Sequence, residues 1–271
     1  MIQLVFTDVD GTLIGSSGTV LPSIWRAAER VRATGIRMAV CSGRPAFGDA
    51  RGYATRLDSQ GWHVFQNGAS ILHLAEGRSL STPLPAASVG ALIARARATG
   101  RTLEIYTDSE YAVESTSPRA KEHARLLGVP FTPRSFESLE GTIVRAQWLV
   151  DLADEDETVA DETGHLERSS STSPVMPDTA FINMTAPGID KARAVRAVAA
   201  EYGFPLADVM FVGDGNNDLT ALRTVGFPVA MANAESAVRE AARTIVGHVD
   251  DGGLAEALAL ARETHAARGL A

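Results

Sequence analysis

Short apolar runs alternate with helically spaced apolar positions from the first residues onward. A strand is predicted over 2–7, a helix over about 22–34 with Ile24, Ala27, Ala28 and Val31 on one face and Gly35 as its stop, and a strand over 36–41. A helix over about 45–58 and a strand over 63–66 follow. The same rhythm returns after Asp190, with helices over 190–202, 217–224 and 235–243, strands over 209–213 and 228–231, and a closing helix from about 254. Strict alternation of strand and helix predicts an α/β fold, a doubly wound parallel sheet of Rossmann-like form. Between the two blocks the order changes. Helical spacing over 86–99, 117–127 and 153–166 is mixed with strand candidates at 142–151 and 179–184, and with a hairpin of 101–107 and 111–115 around Asp108-Ser109-Glu110. That mixture predicts an α+β domain at 84–186, inserted into a core built from 1–83 and 187–271. The serine-rich stretch 168–174 predicts a surface turn.

Chemistry gathers where the apolar runs end. The first run leads into Asp8-Val9-Asp10-Gly11-Thr12. Strand residues two apart point the same way, so Asp8 and Asp10 are expected to face one cleft. Two carboxylates that close need a cation between them, or a proton on one of them. The second run ends in Ser42-Gly43-Arg44, which offers a hydroxyl, an open backbone N–H and a guanidinium to an anion. Lys191 opens a helical pattern after Gly188-Ile189-Asp190, placing a cation at a helix N-terminus that already favours anions. A third run, 209–212, closes in Gly213-Asp214-Gly215-Asn216-Asn217-Asp218.

Other readings of these segments fail on spacing. A calcium loop needs acids at positions one, three and five with glycine at six, whereas Gly11 arrives fourth. As a dinucleotide fingerprint, GDGNND would set Asp218 against a pyrophosphate. No GxxxxGK[ST] loop occurs. Each segment alone is an ordinary turn or helix start; their co-occurrence at strand ends, where open α/β sheets bind ligands, points to a phosphoryl-transfer site.

Through DVDGT at 8–12, the Ser42 turn, Lys191 and GDGNND at 213–218, the chain resembles the haloacid dehalogenase superfamily of phosphohydrolases. The insert before Lys191, and Asn67-Gly68-Ala69 after the strand at 63–66, resemble its Cof-type branch, subclass IIB, with an α/β cap. The resemblance implies that Asp8 attacks phosphorus to form an aspartyl-phosphate, while Asp10 protonates the leaving alkoxide and then activates water. Mg²⁺ would be held by Asp8, the carbonyl of Asp10 and Asp214, with Asp218 supporting the metal shell. Ser42 and the Gly43 N–H would hold phosphoryl oxygens with Lys191, and Asn217 would position the nucleophile or the phosphoryl group. Arg44 and Asn67 are expected at the substrate or the domain junction. An acid at Asp10 also speaks against dehalogenation, since a halide needs no proton to leave. Relatives with this cap act mostly on sugar phosphates and other small organic phosphates. Arg145, Asn183 and Met184 are candidates from the insert. A phosphomutase of the phosphomannomutase type and a non-catalytic phosphometabolite-binding protein are the alternative readings.

Composition narrows the setting. The chain has 271 residues, 45% of them hydrophobic and 21% charged, with 33 acids against 25 bases and a net charge of −8. That balance argues against nucleic acid as a partner. No apolar run approaches the ~18 residues of a membrane span, so no membrane partner is expected, and a cytoplasmic monomer or homodimer is. Cys41 is the one cysteine, which fits a reducing compartment and reads as a small buried hydrophobe. None of the six histidines has zinc-ligand spacing.

Overall fold

The computed structural model describes residues 1–160, 166–173 and 175–268. In chain order its elements are β1 (Leu4–Thr7), α1 (Pro22–Arg32), β2 (Arg37–Val40), α2 (Asp49–Asp58), β3 (Trp62–Phe65), β4 (Ser70–His73) and β5 (Arg78–Ser79). The middle stretch holds α3 (Ala86–Thr99), β6 (Thr102–Tyr106), β7 (Tyr111–Val113), α4 (Pro118–Leu127), β8 (Arg145–Asp151), α5 (Glu155–Ala160), β9 (Glu167–Ser173) and β10 (Met176–Thr185). Then come α6 (Lys191–Glu201), β11 (Val209–Gly213), α7 (Leu219–Leu222), β12 (Phe227–Met231), α8 (Ser236–Ala241), β13 (Thr244–Val246) and α9 (Gly253–Arg268). The chain divides into two compact units, one of 1–43, 52–79 and 190–271, the other of 44–51 and 80–189.

In the first unit the strands run in the order β13-β12-β11-β1-β2, every neighbouring pair parallel. β1 is wholly buried, which is why it reads as an unbroken apolar run rather than an alternating one. Proline at the first position of α1 fits the helix start, where its missing N–H is not needed. Beyond β2, a parallel bridge between Cys41 and Val64 brings in β3, which pairs antiparallel with β4 and β4 with β5. β4, β5 and β13 are additions to the sequence reading; each has only two to four residues, too short to carry a periodic signal.

The second unit holds an antiparallel sheet in the order β7-β6-β8-β10-β9. The alternation along its strands sorts the two faces. Leu103, Ile105, Ala146, Trp148, Ile182 and Met184 pack with Val89, Leu92 and Ala96 of α3 into one apolar cluster. Glu104, Tyr106, Arg145, Gln147 and Asn183 fall on the opposite face, all buried. α4 is capped by the Ser117 hydroxyl, which accepts from the Ala120 N–H at 3.1 Å. The serine-rich stretch is not a turn: 167–173 form an edge strand laddered on β10. The ladder satisfies the backbone while the polar side chains at an exposed edge need no apolar partner, so neither run nor alternation marked it. Pro174 of that stretch, and 161–165 of the helix predicted over 153–166, lie outside the described residues. Among the described residues no helix is long and apolar enough to cross a membrane.

Candidate active site

β1 lies between β2 and β11, with Thr7 opposite Val212 and Val40, so three loops leave the same edge of the sheet side by side. Asp8 N–H donates to Val212 O at 2.9 Å, and Cys41 N–H to Thr7 O at 2.9 Å. The strand stops at Thr7, just before Asp8, and the charge of Asp10 acts on both Asp8 and Asp214. Asp8 and Asp10 lie in the turn that follows, Asp8 buried and Asp10 exposed. Gly11 in that turn has φ 78°, and a Cβ there would lie 2.1 Å from Asp214 Oδ2; the DG step lets the first loop press against the carboxylate of the fourth.

Lys191 sits at the first position of α6, whose cap Asp190 accepts from the Arg193 N–H at 2.7 Å. Its Nζ donates to Asp8 Oδ1 at 2.7 Å and to Asp218 Oδ1 at 2.6 Å. Lys191, Asp8 and Asp218 are 1%, 6% and 0% exposed, so this is an interior ion cluster rather than a surface pair. Asp218 Oδ2 accepts from the N–H groups of Asp214 and Gly215 at 3.0 and 3.1 Å, folding the 213–218 turn over its own carboxylate. Thr12 Oγ1 donates to Asp214 Oδ1 at 2.7 Å.

Burial lifts the Asp8 carboxyl well above the usual range; Lys191 pulls it down, and Asp218, Asp214 and Asp10 raise it further. Asp214 is pushed up to about 6, by burial first, against the Thr12 hydrogen bond and with Asp218 and Asp10 adding to the rise. Burial works against the charge on Lys191, but Asp218 and Asp8 outweigh it and hold the ammonium above its ordinary range. Oxygens of Asp8, Asp214 and Asp218 lie within 4.8 Å of one another. Three carboxylates against one ammonium leave an excess of negative charge, and a donor set of carboxylates alone suits a hard cation. Thr12 takes Oδ1 of Asp214, leaving its second oxygen to such an ion, and Asp8 Oδ1, which accepts from Lys191, has a further lone pair to share with it. Asp218 has both oxygens engaged by protein donors and so supports the site from behind.

The remaining expected residues divide. Ser42 is buried, with its N–H on Val64 O at 3.0 Å, and Gly43 follows it at the same edge. Asn67 joins them: its N–H donates to Ser42 O at 3.0 Å, and its Oδ1 accepts from Asn217 Nδ2 at 3.0 Å. Arg44 opens the 44–51 segment, which belongs by its contacts to the second unit. Within that unit Arg145 Nη1 donates to Asn183 Oδ1 at 3.2 Å, while Met184 is part of the apolar core. Burial pushes the Cys41 thiol up, as befits a structural residue. Two supporting groups escaped the sequence reading. Asn233 Nδ2 donates to Gly11 O at 2.8 Å and its Oδ1 accepts from the Val249 N–H at 3.0 Å, and Glu235 accepts from the Asn216 N–H at 3.3 Å. Neither has a motif of its own; Thr12, inside DVDGT, could have been found by asking what its hydroxyl was for.

A family model described as haloacid dehalogenase-like hydrolase matches residues 5–258. A phosphoglycolate phosphatase of Methanopyrus kandleri is 26% identical over 94% of this chain and 95% of its own. The 5-amino-6-(5-phospho-D-ribitylamino)uracil phosphatase YbjI of Escherichia coli is 25% identical over 91% of each chain. Among solved structures, a haloacid dehalogenase-like hydrolase from Bacteroides thetaiotaomicron superposes with a TM-score of 0.84 at 26% identity, covering 95% of this chain and 98% of that one.

Proposed function

Since the chain belongs to the haloacid dehalogenase-like hydrolases, we propose that it is a Mg²⁺-dependent phosphatase of small organic phosphomonoesters, sugar phosphates foremost, working through an aspartyl-phosphate on Asp8. The observation that carries the reading is the Lys191 ammonium set between Asp8 and Asp218 at the end of β1. Lys191 holds Asp8 Oδ1, which leaves Oδ2 to attack phosphorus. As the Oδ2–P bond forms, the ester P–O bond breaks and the leaving alkoxide takes a proton from Asp10. Asp10, now a carboxylate, removes a proton from water; the water oxygen bonds to phosphorus, the Asp8–P bond breaks, and Asp8 is restored. Asp10 lies exposed, where proton exchange with solvent is open to it.

Asp8 and Asp214 are the residues to hold Mg²⁺, which supplies charge neutralisation to the phosphoryl oxygens when bound. Ser42, the Gly43 N–H, Lys191 and Asn217 bind the phosphoryl group, and Arg44 contacts the rest of the ester. The inserted segment 84–186 chooses among esters; both named relatives act on small phosphate compounds, which supports that class.

The test is phosphate release over a panel of sugar phosphates, other small phosphomonoesters and a small aryl phosphate. Turnover should vanish with chelator and return with Mg²⁺ or Mn²⁺ but poorly with Zn²⁺, and Asp8→Asn should lower it by about a thousandfold or more. Wild-type rates from purified Asp8→Asn protein would show the nucleophile to be elsewhere.

A further inference from the structure

The backbone turns left-handed at three successive residues after β3: Gln66 (φ 53°), Asn67 (φ 55°) and Gly68 (φ 100°). Gln66 and Asn67 are the two non-glycine residues with positive φ among the described residues. Side chains resist this region, so such a conformation persists only where its surroundings over-determine it. Here the surroundings are three of the four chemical segments. Asn67 N–H donates to Ser42 O at 3.0 Å, and a Cβ on Gly43 would lie 3.2 Å from Asn67 Oδ1. A Cβ on Gly68 would lie 2.4 Å from Asp190 O, so this backbone lies against the residue that caps the Lys191 helix. From the 213–218 turn, Asn217 Nδ2 donates to Asn67 Oδ1 at 3.0 Å.

Glycine would adopt φ 55° at least cost, and asparagine is among the few side chains that tolerate it. A side chain kept at such a position has a task besides shaping the turn. Asn217 is an exposed residue on a single 3₁₀ turn, free to change rotamer unless something fixes it.

We propose that Asn67 is a positioning residue: its carboxamide fixes Asn217 against the Ser42–Gly43 turn, so that donors from two separate loops converge on one phosphoryl group. The inference rests on the phosphatase reading and alters the part expected of Asn67, which acts through Asn217 rather than on the ester. Strain in 66–68 serves this by denying the loop alternative conformations of low energy.

The test compares Asn67→Gly, Asn217→Ala and the double variant on a small aryl phosphate with Mg²⁺. Asn67→Gly relaxes the backbone while removing the carboxamide, so Tm should hold or rise while kcat falls between about ten- and a hundredfold with KM little changed. A purely structural role would lower Tm instead. The double variant should fall no further than the worse single variant. Losses that multiply, a raised KM with unchanged kcat, or kinetics identical to wild type would each overturn the proposal. Should the wild type release phosphate from no ester in the panel, the phosphatase reading fails, and the positioning claim is then read from the Asn217 side-chain amide resonance in ¹⁵N-asparagine-labelled protein. Asn67→Gly should shift or broaden it, and an unmoved resonance overturns the claim.

Discussion

Each unit buries a carboxylate completely, Asp218 in the first and Glu104 in the second, and the two are held in opposite ways. Asp218 has one oxygen on Lys191 and the other on two backbone N–H groups of its own turn. Glu104 gathers the Tyr106 hydroxyl and His123 Nδ1 on Oε2, the latter at 2.8 Å, and leaves Oε1 without a hydrogen bond. The charge balance differs as well. Around Lys191 acids are in excess, whereas beside Glu104 the Arg145 guanidinium lies 4.0 Å from the Tyr106 ring centroid. The first arrangement needs a cation from outside and is thereby suited to chemistry. The second is closer to neutral among its own residues and is suited to holding a sheet face in register.

The largest break in this comparison comes from Lys191→Met. It leaves Asp8 and Asp218 buried without their cation, and urea unfolding should show a loss of about 3–5 kcal/mol together with loss of turnover.

Histidine gives the next test, because His63 is buried with its Nδ1 accepting from the Val40 N–H at 3.1 Å and its Nε2 donating to Asp58 O at 2.8 Å, whereas His123 faces a carboxylate. A second proton on His63 would point at the Val40 N–H, and burial lowers its pKa from 6.5 to about 4. Between those values the unfolded chain binds the proton and the folded one does not, so this group's stabilisation is complete above 6.5 and is lost as pH falls towards 4. The loss should approach about 3 kcal/mol. Replacing His63 by Gln should remove that slope from the pH dependence of unfolding. If the slope persists, His63 is not its source.

Metal should act on the first unit alone, raising stability by about 2.7 kcal/mol at a hundredfold excess over Kd. Asp214, raised from 3.8 to about 6, gives this a pH dependence of opposite sign to that of His63. The folded state holds its proton between those values and the unfolded state does not, so its contribution to stability is full below 3.8 and lost as pH rises through 6. Metal competes with that proton. Titration calorimetry should therefore find affinity weakening roughly tenfold per pH unit below about 6.

The smallest effect is expected from Glu104→Gln, which keeps an acceptor for Tyr106 and His123. It should cost roughly 1–2 kcal/mol and leave turnover of a small aryl phosphate within about twofold. A cost equal to that of Lys191→Met would erase the distinction between the two clusters.

What the sequence made legible follows the same division. Asp8, Ser42, Lys191 and Asp214 each follow a mainly apolar run or open a helix, so local pattern located them and the parallel register brought their loops together. Glu104, His123, Tyr106 and Arg145 come from two strands and a helix of an antiparallel sheet, alternate with core residues, and share no motif. The register of β6 on β8 sets Tyr106 opposite Arg145, and the packing of α4 brings His123 to Glu104. The edge strand at 167–173 reads as a turn in the sequence because exposed serines look alike in a turn and on a solvated ladder. Asn67 was visible as part of Asn67-Gly68-Ala69, but its left-handed backbone, which carries the positioning argument, leaves no mark in composition.

The placement of β1 has a consequence for the chain as it is being made. Its partner β2 emerges from the ribosome soon after it, with Thr7 pairing Val40, but its other partner, with Val212 opposite Thr7, is some two hundred residues behind. At ordinary rates of synthesis one edge of this apolar strand stays open for roughly 10 to 40 s, time in which the continuous stretch 80–189 is made. Asp8 is synthesised well before Lys191, Asp214 and Asp218. A chain that stops short of β11 therefore cannot assemble the ion cluster: translation itself withholds phosphatase chemistry until the strand that shields the nascent edge has arrived.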